Sequence, residues 1–471
     1  MEEDVKVDKW GYQVKTSSDA CISAINSYYE QVLSYGRKRS VILEALIHDE
    51  ACVLANILAA HFHASSNPSR APFHLQAASS RLDQATVYER AVFNSIKSLI
   101  SGNRDDDLAF ELHFKLLKDF PRDLASLKRA QVLCFYIGRP DLSLDLVQQV
   151  LSKNQQENYM YGMLAFPLLE LGRMTDAEKA ARKAFQINKH DIWAQHNLCH
   201  VLHFECCFRE AVEFMVECSS TWSLASSFMY THNWWHVALC YLEGHSPIRK
   251  VLEIYDHCIW KELDRDDAIV GEVYLNALGL LLRVSVRGEM SLFEERLKIL
   301  ADRLTDQCTW YLEWHLDLLT LWALATTGRR GKADDLLEGL KSRYSKMVEK
   351  KQQRMKGGVL LAEALYEYGN GNYMKAVELL GPVFDANDCK AIGASDEQLD
   401  VFNEVWYILL LETGHATEAI EVLERSAKKR EGIPFLWRLL ERAYSMSGRS
   451  EATSAGEKAT ALETVYGRCW M

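Results

Sequence analysis

The sequence is poor in the residues that interrupt helices. Its 471 residues include only 8 prolines and 24 glycines, which leaves room for long helices joined by short turns. No uninterrupted apolar stretch reaches 18 residues, so the sequence predicts no transmembrane helix. The first residues are charged and lack the apolar core of a secretory signal peptide. We therefore expect a cytoplasmic protein without a membrane partner.

Common catalytic and redox motifs are also missing. The sequence contains no Gly-x-Gly-x-x-Gly, P-loop, Gly-x-Ser-x-Gly or His-Glu-x-x-His motif, which argues against several large enzyme classes. Its 12 cysteines are scattered without a Cys-x-x-Cys pair, so we expect free thiols in a reducing compartment. The net charge is −11 and long basic runs are lacking. From this balance we predict that nucleic acid is not a partner.

What the sequence does contain is a repeat. Two consecutive copies of a 34-residue unit occupy residues 158 to about 220. Small or apolar residues recur at most of the matched positions, which are Tyr161/Gln195, Leu164/Leu198, Ala165/Cys199, Leu168/Leu202, Gly172/Cys206, Ala177/Ala211 and Ala184/Cys218. A 34-residue period with small residues at fixed offsets is typical of the tetratricopeptide repeat, a helix–turn–helix unit.

The period extends over much of the chain. Units begin near residues 90, 124, 158 and 192, and a Gly-x4-Ala spacing recurs later with a 43-residue period at Gly328, Gly371 and Gly414. The sequence therefore predicts an all-α, tetratricopeptide-like α-solenoid, a right-handed superhelix of antiparallel helix pairs. We interpret 1–471 as a single helical-repeat domain. Its expected parts are N-terminal capping helices over 1–89, regular repeats over 90–225, and divergent repeats with a C-terminal cap over 226–471.

Some local expectations accompany this fold. Residues 1–16 are expected to form a loose lead-in, and a single helix is predicted from about Leu43 to His63. Pro382–Glu397 is the most loop-like internal stretch because it combines Pro, Gly, Asn and Asp. Tryptophans at helical spacing are assigned to the core, namely Trp310, Trp314 and Trp322.

Histidines concentrate in the second copy of the repeat and just after it. His196, His200 and His203 fall at positions 5, 9 and 12 of one helix, which line the concave groove of such units. His232 and His236 stand four residues apart in the following unit. Residues four apart lie one above the other on a helix, and two imidazoles at this spacing can chelate a metal ion or grip an anionic ligand.

We expect four of these imidazoles to meet in one pocket, with Trp235 as an apolar wall. The predicted ligands of a metal ion there are His196, His200, His232 and His236. Three interpretations stay open, which are a pocket for a peptide or polar molecule, a metal site, and imidazoles that are only structural. Cys206 and Cys207 are more readily explained by packing than by redox chemistry, because adjacent residues on a helix point about 100° apart.

Several segments together point to a known family. They are Tyr161–Phe166, His196-x3-His200, His232–His236, Glu253–Asp256, Gly371–Val377 and Asp400–Phe402. On these segments the chain resembles the tetratricopeptide repeat protein 38 family of bacteria, animals and plants, over nearly its whole length. The resemblance implies a soluble helical-repeat protein without an established general activity.

The sequence departs from that family's pattern at four positions. Members tend to have an acidic residue where this chain has His203, and glycine where it has Cys206. They tend to have histidine where this chain has Leu319 and Asp396. An activity carried by those positions would be altered in this chain.

Two hypotheses for function follow. In the first, a tetratricopeptide-repeat binding or scaffold protein holds a protein, peptide or small polar ligand in its concave groove. In the second, an enzyme uses the same histidines, with Asp317 as a partner and with or without a divalent metal as cofactor. Because Leu319 and Asp396 replace family histidines, the first is favoured. The candidate ligand-binding residues are His196, His200, His203, His232, Trp235, His236 and Asp317.

Overall fold

A computed structural model describes residues 4–470. Over this range the chain forms 24 α-helices, several short turns of 3-10 or π-helix, and one two-stranded hairpin. The prediction of an all-α helical-repeat fold is confirmed. None of the described helices combines the length and the apolar character needed to cross a membrane.

The chain divides into two compact units. The first comprises the described residues up to Phe135 together with Arg139–Asn197, and the second comprises Tyr136–Gly138 and the residues from Leu198 onward. Each is described by itself below. Two expectations stay predictions. One is the right-handed superhelix, and the other is the single domain with parts at 1–89, 90–225 and 226–471.

The first unit starts with a hairpin and continues with helices. Strand β1 (Val5–Val7) pairs antiparallel with β2 (Gln13–Lys15). The helices are α1 (Asp19–Leu33), α2 (Ile42–His48), α3 (Val53–Ser66), α4 (Ala71–Ser79), α5 (Val87–Ile100), α6 (Asp106–Asp119), α7 (Leu124–Tyr136), α8 (Pro140–Leu151), α9 (Met160–Glu170) and α10 (Met174–Ile187). Helix α11 (Ile192–Phe204) begins in this unit and ends in the second.

The second unit consists of helices and short turns. Its helices are α12 (Phe208–Cys218), α13 (Ser227–Glu243), α14 (Ile248–Ile254), α15 (Val270–Val286), α16 (Glu294–Arg303), α17 (Trp314–Thr326), α18 (Arg330–Ser345), α19 (Glu349–Gly369), α20 (Tyr373–Leu380), α21 (Asp396–Glu412), α22 (Ala416–Lys429), α23 (Pro434–Met446) and α24 (Glu451–Cys469). The chain continues from α14 as a π-helical turn at Tyr255–Ile259.

The N-terminal expectations need two corrections. Residues 1–16 were expected to be a loose lead-in, but the described part forms the hairpin, whose Val14 is fully buried. The single helix predicted from Leu43 to His63 is two helices, α2 and α3. The break falls at Asp49, whose carboxylate accepts a hydrogen bond from the Ala51 backbone, so a local side-chain bond competes with helical continuation.

The turns between paired helices explain why small residues recur at fixed spacing along the chain. Gly172 and Gly328 both adopt left-handed backbone conformations, with φ of +71° and +77°, which glycine accepts without steric cost. Cys206, which stands 34 residues after Gly172, has a φ of +58° in the corresponding turn. Ala177 and Ala211 follow these turns and are fully buried where helices pack closely.

Aromatic residues fill much of the second unit's core. Trp222, Trp322 and Trp406 are among its largest fully buried side chains. Trp310 is also buried, as its helical spacing predicts, and its indole N–H donates to the Leu304 carbonyl oxygen at 2.8 Å. Trp314 is only half-buried, so the assignment of this third tryptophan to the core is not supported.

Candidate functional site

Two helices of the second unit carry the histidines of the candidate site. His200 and His203 lie in the second-unit part of α11, and His232 and His236 lie one turn apart on α13. Helix α13 begins after Ser226, whose hydroxyl accepts a hydrogen bond from the Met229 backbone at 3.4 Å. All four imidazoles are buried.

The imidazoles from the two helices are in direct contact. The rings of His200 and His236 meet edge to face with centroids 4.4 Å apart, and those of His232 and His236 do the same at 4.6 Å. One ring nitrogen from each of these three residues lies within 4.8 Å of the others. The fold therefore joins the histidine pair of α13 to His200 of α11.

A carboxylate that sequence reasoning missed lies among these rings. Glu397 Oε2 is 2.8 Å from His200 Nδ1 and 3.0 Å from His236 Nδ1, while Oε1 contacts His203 Nδ1. Its side chain is 10% exposed. We call His200, His203, His232, His236 and Glu397 the histidine–glutamate cluster.

Glu397 was assigned to the loop-like stretch Pro382–Glu397, and that assignment is wrong at its end. Helix α21 already begins at Asp396, because the Ser395 hydroxyl caps the Gln398 backbone while the Gln398 side chain caps that of Ser395. Ala386–Ile392 also forms a 3-10 turn. The Ser-x-x-Gln capping pattern was the signal that could have placed Glu397 in a first helical turn.

His232 is held by a second partner. Its Nδ1 lies 2.8 Å from Asn276 Oδ1 on α15. The Asn276 amide nitrogen donates to Thr231 Oγ1 at 2.8 Å, so the oxygen of this amide faces the ring. His232 therefore carries its proton on Nδ1, an assignment that follows from the hydrogen-bond network.

A buried network of charges surrounds the cluster. Glu243 Oε2, at the end of α13, lies 2.9 Å from His203 Nε2 and 2.9 Å from Arg430 Nη2. Arg430 also donates to the His203 carbonyl oxygen at 2.9 Å. This guanidinium follows α22 in sequence, so three helices are tied together at His203.

Two further arginines complete the network. Arg283 Nη1 stands 3.7 Å from carboxylate oxygens of both Glu243 and Glu404, and its Nη2 donates to the backbone carbonyl of Glu397. Arg287 pairs with Glu404. Together with Arg430, these guanidinium groups neutralise the carboxylates of Glu243 and Glu404. The carboxylate of Glu397 instead contacts imidazoles of the cluster. Burying this many charges is tolerable only because each is paired.

Burial and neighbouring charges both shift the pKa values of the cluster's carboxylate and imidazoles. Burial alone would raise the pKa of Glu397, but His200, His203 and His236 outweigh it and hold that pKa well below its usual range. Burial lowers the pKa of His236 to about 4, against the opposing effect of Glu397. Burial, reinforced by His236, also lowers the pKa of His232 well below its usual value. Burial would lower the pKa of His203, but Glu397 and Glu243 raise it above its usual value.

The other predicted site residues have diverse positions. Trp235 is buried and its ring stacks on His232, with centroids 5.2 Å apart and planes at 8°. His196 lies on the first-unit part of α11, where its ring stacks on Trp193 at 4.6 Å. The meeting of all four predicted ligands, His196 included, therefore stays a prediction.

Asp317 belongs to another part of the second unit. It lies buried on α17, where its carboxylate accepts a hydrogen bond from the Tyr311 backbone at 2.9 Å. Burial raises the pKa of Asp317 to about 7. Asp317 takes no part in the ion pairs of the cluster within residues 4–470, so its predicted partnership with the histidines gains no support.

The fold and the cluster define the class of this chain, an all-α helical-repeat protein with a buried polar centre in its second unit. No family model matches the sequence. Among solved structures, the chain is similar to a monomeric IFIT1 mutant with Gppp-AAAA, with 11% identity, TM-score 0.38, and 95% of this chain and 96% of that chain covered.

Two human IFIT1 dimers give comparable values. With m7Gppp-AAAA the identity is 12%, the TM-score 0.36, and the coverage 95% of this chain and 91% of that chain. With PPP-AAAA the identity is 14%, the TM-score 0.36, and the coverage 98% and 96%. At these values the likeness concerns helical architecture alone.

The same structures require one correction. We predicted from the acidic net charge that nucleic acid is not a partner, but the IFIT1 structures of this helical type contain Gppp-AAAA, m7Gppp-AAAA or PPP-AAAA. The exclusion is therefore wrong and is not kept. Net charge describes a whole chain, whereas phosphates are held by local groups that an acidic chain can also present.

Proposed function

We propose that this chain is a helical-repeat binding protein whose second unit holds a small polar ligand or a peptide group at the histidine–glutamate cluster. The observation that supports this most is the gathering of imidazoles from α11 and α13 around the buried carboxylate of Glu397. Burying this many polar groups is costly, and titratable groups with perturbed pKa values concentrate at functional sites.

The chemistry of the cluster favours a particular kind of ligand. Glu397 offers an ionised acceptor, and each imidazole offers one donor and one acceptor when neutral. The neighbouring guanidinium groups of Arg283, Arg287 and Arg430 are already paired with carboxylates. A ligand that is cationic, or that brings hydrogen-bond donors, therefore suits the cluster better than an anion.

The wider assignments belong to the same proposal. The resemblance to the tetratricopeptide repeat protein 38 family supports membership of that family and a cytoplasmic protein-binding or scaffold role. The enzymatic alternative is less favoured, because Asp317 bonds to Tyr311 rather than to the histidines and because Leu319 and Asp396 replace family histidines.

The experiment compares full-length wild type, purified without a His tag, with the double variant His200→Ala/His236→Ala. Native mass spectrometry against the denatured mass measures what each protein retains. We expect wild type to retain a non-covalent adduct and the double variant to lose it. His315→Ala, which truncates another buried imidazole of the second unit, is expected to keep the adduct.

Circular dichroism and thermal melting separate binding from folding. A functional cluster predicts a cooperative melt for the double variant, because binding sites are seldom optimised for stability. Glu397→Gln preserves side-chain shape and gives a second test if the double variant does not fold. An adduct-free wild type, or an adduct that survives in Glu397→Gln and in the double variant, would contradict the proposal.

A further inference from the structure

We infer that His200, His232 and His236 are the protein ligands of a divalent transition-metal ion, with Glu397 and Asn276 as the groups that orient them. This inference rests on the proposed function and names the ligand class of the same cluster. It is carried by the closeness of one nitrogen from each of the three rings and by the oxygen atoms that lie beside their Nδ1 atoms.

The orientation of His232 is the first step. Its Nδ1–H donates to Asn276 Oδ1 at 2.8 Å, and that amide is itself fixed by its bond to Thr231 Oγ1 at 2.8 Å. The lone pair of the ring is consequently on Nε2. Metal-ligating histidines typically donate their other N–H to an amide, carbonyl or carboxylate oxygen, which fixes both tautomer and ring direction.

Glu397 provides the same kind of support to the other two rings. Its Oε2 lies 2.8 Å from Nδ1 of His200 and 3.0 Å from Nδ1 of His236. These are close charge contacts rather than aligned hydrogen bonds, because neither Glu397 oxygen meets hydrogen-bond geometry with a ring. A carboxylate this close to Nδ1 still favours the tautomer that carries the proton on Nδ1, which leaves the lone pair on Nε2. An oxygen atom therefore lies beside Nδ1 of all three imidazoles.

The spacing of the rings suits one shared ion. One nitrogen from each residue lies within 4.8 Å of the others. Zn–N bonds of about 2.0–2.1 Å in a tetrahedral site place the ligand nitrogens about 3.3 Å apart, so binding requires only a small closure of the rings. The nearby carboxylates of Glu243 and Glu404 are paired with arginines, whereas the carboxylate of Glu397 faces imidazoles of the cluster.

The ligand type narrows the metal. Neutral imidazole suits Zn, Cu, Ni and Fe, whereas Mg and Ca prefer sites made of oxygen ligands. The site is therefore expected to take a divalent transition-metal ion such as Zn²⁺, for which Co²⁺ is a spectroscopic probe, and to discriminate against Mg²⁺ and Ca²⁺.

The test uses the full-length chain purified without a tag and stripped of metal by a chelator. Co²⁺ is titrated while visible absorption is recorded, and Zn²⁺ is added as a competitor. We expect one Co²⁺ per chain, with a visible band that Zn²⁺ removes. His236→Ala should weaken Co²⁺ binding more than about 100-fold, since it removes a ligand rather than a supporting group. The exposed His257 gives the control His257→Ala, which should bind as wild type does.

Substitutions of Asn276 distinguish a metal site from a hydrogen-bond network that serves only the structure. Asn276→Leu removes the acceptor for His232 and should weaken Co²⁺ binding by about 10–100-fold. Asn276→Asp keeps an oxygen acceptor and should bind close to wild type. A purely structural role for Asn276 predicts changes in melting temperature without this pattern in affinity.

Two outcomes overturn the inference. One is the absence of stoichiometric Co²⁺ or Zn²⁺ binding by a folded wild type, and the other is binding that His236→Ala and Asn276→Leu leave unchanged. If native mass spectrometry nevertheless finds an organic adduct that depends on Glu397, the metal inference fails while the proposed function stands. If neither metal nor adduct is found, both fail.

Discussion

Arg287 donates two hydrogen bonds to the carboxylate of Glu404, 2.6 Å from Nη1 to Oε2 and 2.7 Å from Nη2 to Oε1. The side chains are only 6% and 4% exposed. Arg287 follows the end of α15, and Glu404 lies two turns along α21 from Glu397. This pair therefore fixes the helix that brings Glu397 to the histidines.

Removing only one partner of this pair should be strongly destabilising. Arg287→Met leaves the buried carboxylate of Glu404 without its main partner, and we expect a loss of about 3–5 kcal/mol in the free energy of unfolding. The double variant Arg287→Met/Glu404→Leu should recover most of it, because apolar replacements of a buried pair are often tolerated. Urea denaturation measures both.

An exposed pair provides the control for that measurement. Arg209 and Glu213 lie 2.7 Å apart with side chains 61% and 63% exposed, so Arg209→Met should leave the free energy of unfolding almost unchanged, because solvent screens an exposed ion pair. Equal effects of Arg287→Met and Arg209→Met would contradict the role assigned to the buried pair.

Asp8 should make the first unit less stable as the pH rises. Burial, together with Asp123, raises the pKa of Asp8 to about 7, despite hydrogen bonds from the Trp10 and Tyr12 backbones. The folded state therefore holds its proton more tightly than the unfolded chain, whose carboxyl titrates near about 4. The free energy of unfolding is therefore highest below about pH 4. It decreases as the pH rises to about 7, by at most about 1.4 kcal/mol per pH unit for one proton.

Asp8→Asn should flatten this dependence. The amide keeps an oxygen for the two backbone donors but does not titrate. The stability of the variant relative to wild type should therefore increase progressively between pH 4 and 7. Urea midpoints across this range measure the gain, and Asp119→Asn on the exposed side of α6 is the control. If the urea midpoints of wild type and Asp8→Asn change with pH in parallel, the folded-state pKa of Asp8 is not raised and the prediction is wrong.

Ala177→Leu should overpack the contact of α10 with α9. Ala177 is fully buried at the small position of the repeat, and additional methyl groups in a packed core typically destabilise by about 1–3 kcal/mol. Lys179→Leu places the same side chain on an exposed position of the same helix and should have little effect. An unchanged denaturation midpoint for Ala177→Leu would show that the assigned repeat register is wrong.

Gly369 should not tolerate a methyl group. A Cβ at this position would lie 2.7 Å from Ala325 Cβ and 3.0 Å from the Trp322 carbonyl oxygen on α17, so Gly369→Ala should force α17 and α19 apart and destabilise by about 1–3 kcal/mol. Gly331 on α18 has open space around it. Gly331→Ala should instead stabilise by about 0.5–1 kcal/mol, as expected for alanine in a helix. If thermal melting shows that both substitutions change the melting temperature in the same direction, this packing is contradicted.

All 12 cysteines should react as thiols once the protein is denatured without reductant. All 12 are thiols rather than disulfides in the structure, and Cys207 and Cys308 are exposed. Thiol titration of the folded protein should therefore detect these two first, with the buried ones following on unfolding. A deficit of two thiols in the denatured protein would indicate a disulfide and an oxidising compartment.

The repeat was readable from the sequence because it is made by local rules. Helices α7 and α11 begin at residues 124 and 192, as the 34-residue spacing predicts. The position of Gly172 recurs as a left-handed turn even where Cys206 replaces glycine. Such features depend on backbone conformation and on side-chain size within one helix pair, which a short window of sequence contains.

The pairing of histidines along each helix was also determined by the sequence, since it follows from residues four apart on α11 and α13. What only the tertiary structure decided is which groups meet them. Glu397 lies almost 200 residues from His200 in the chain, and neither Asn276 nor Arg430 stands out by motif or spacing. Their approach depends on how α15 packs on α13, α21 on α15 and α22 on α21, and packing of distant helices is a property of the whole folded unit. The sequence determined the helices and the face of each that carries the imidazoles, while the long-range packing determined that these imidazoles surround a carboxylate.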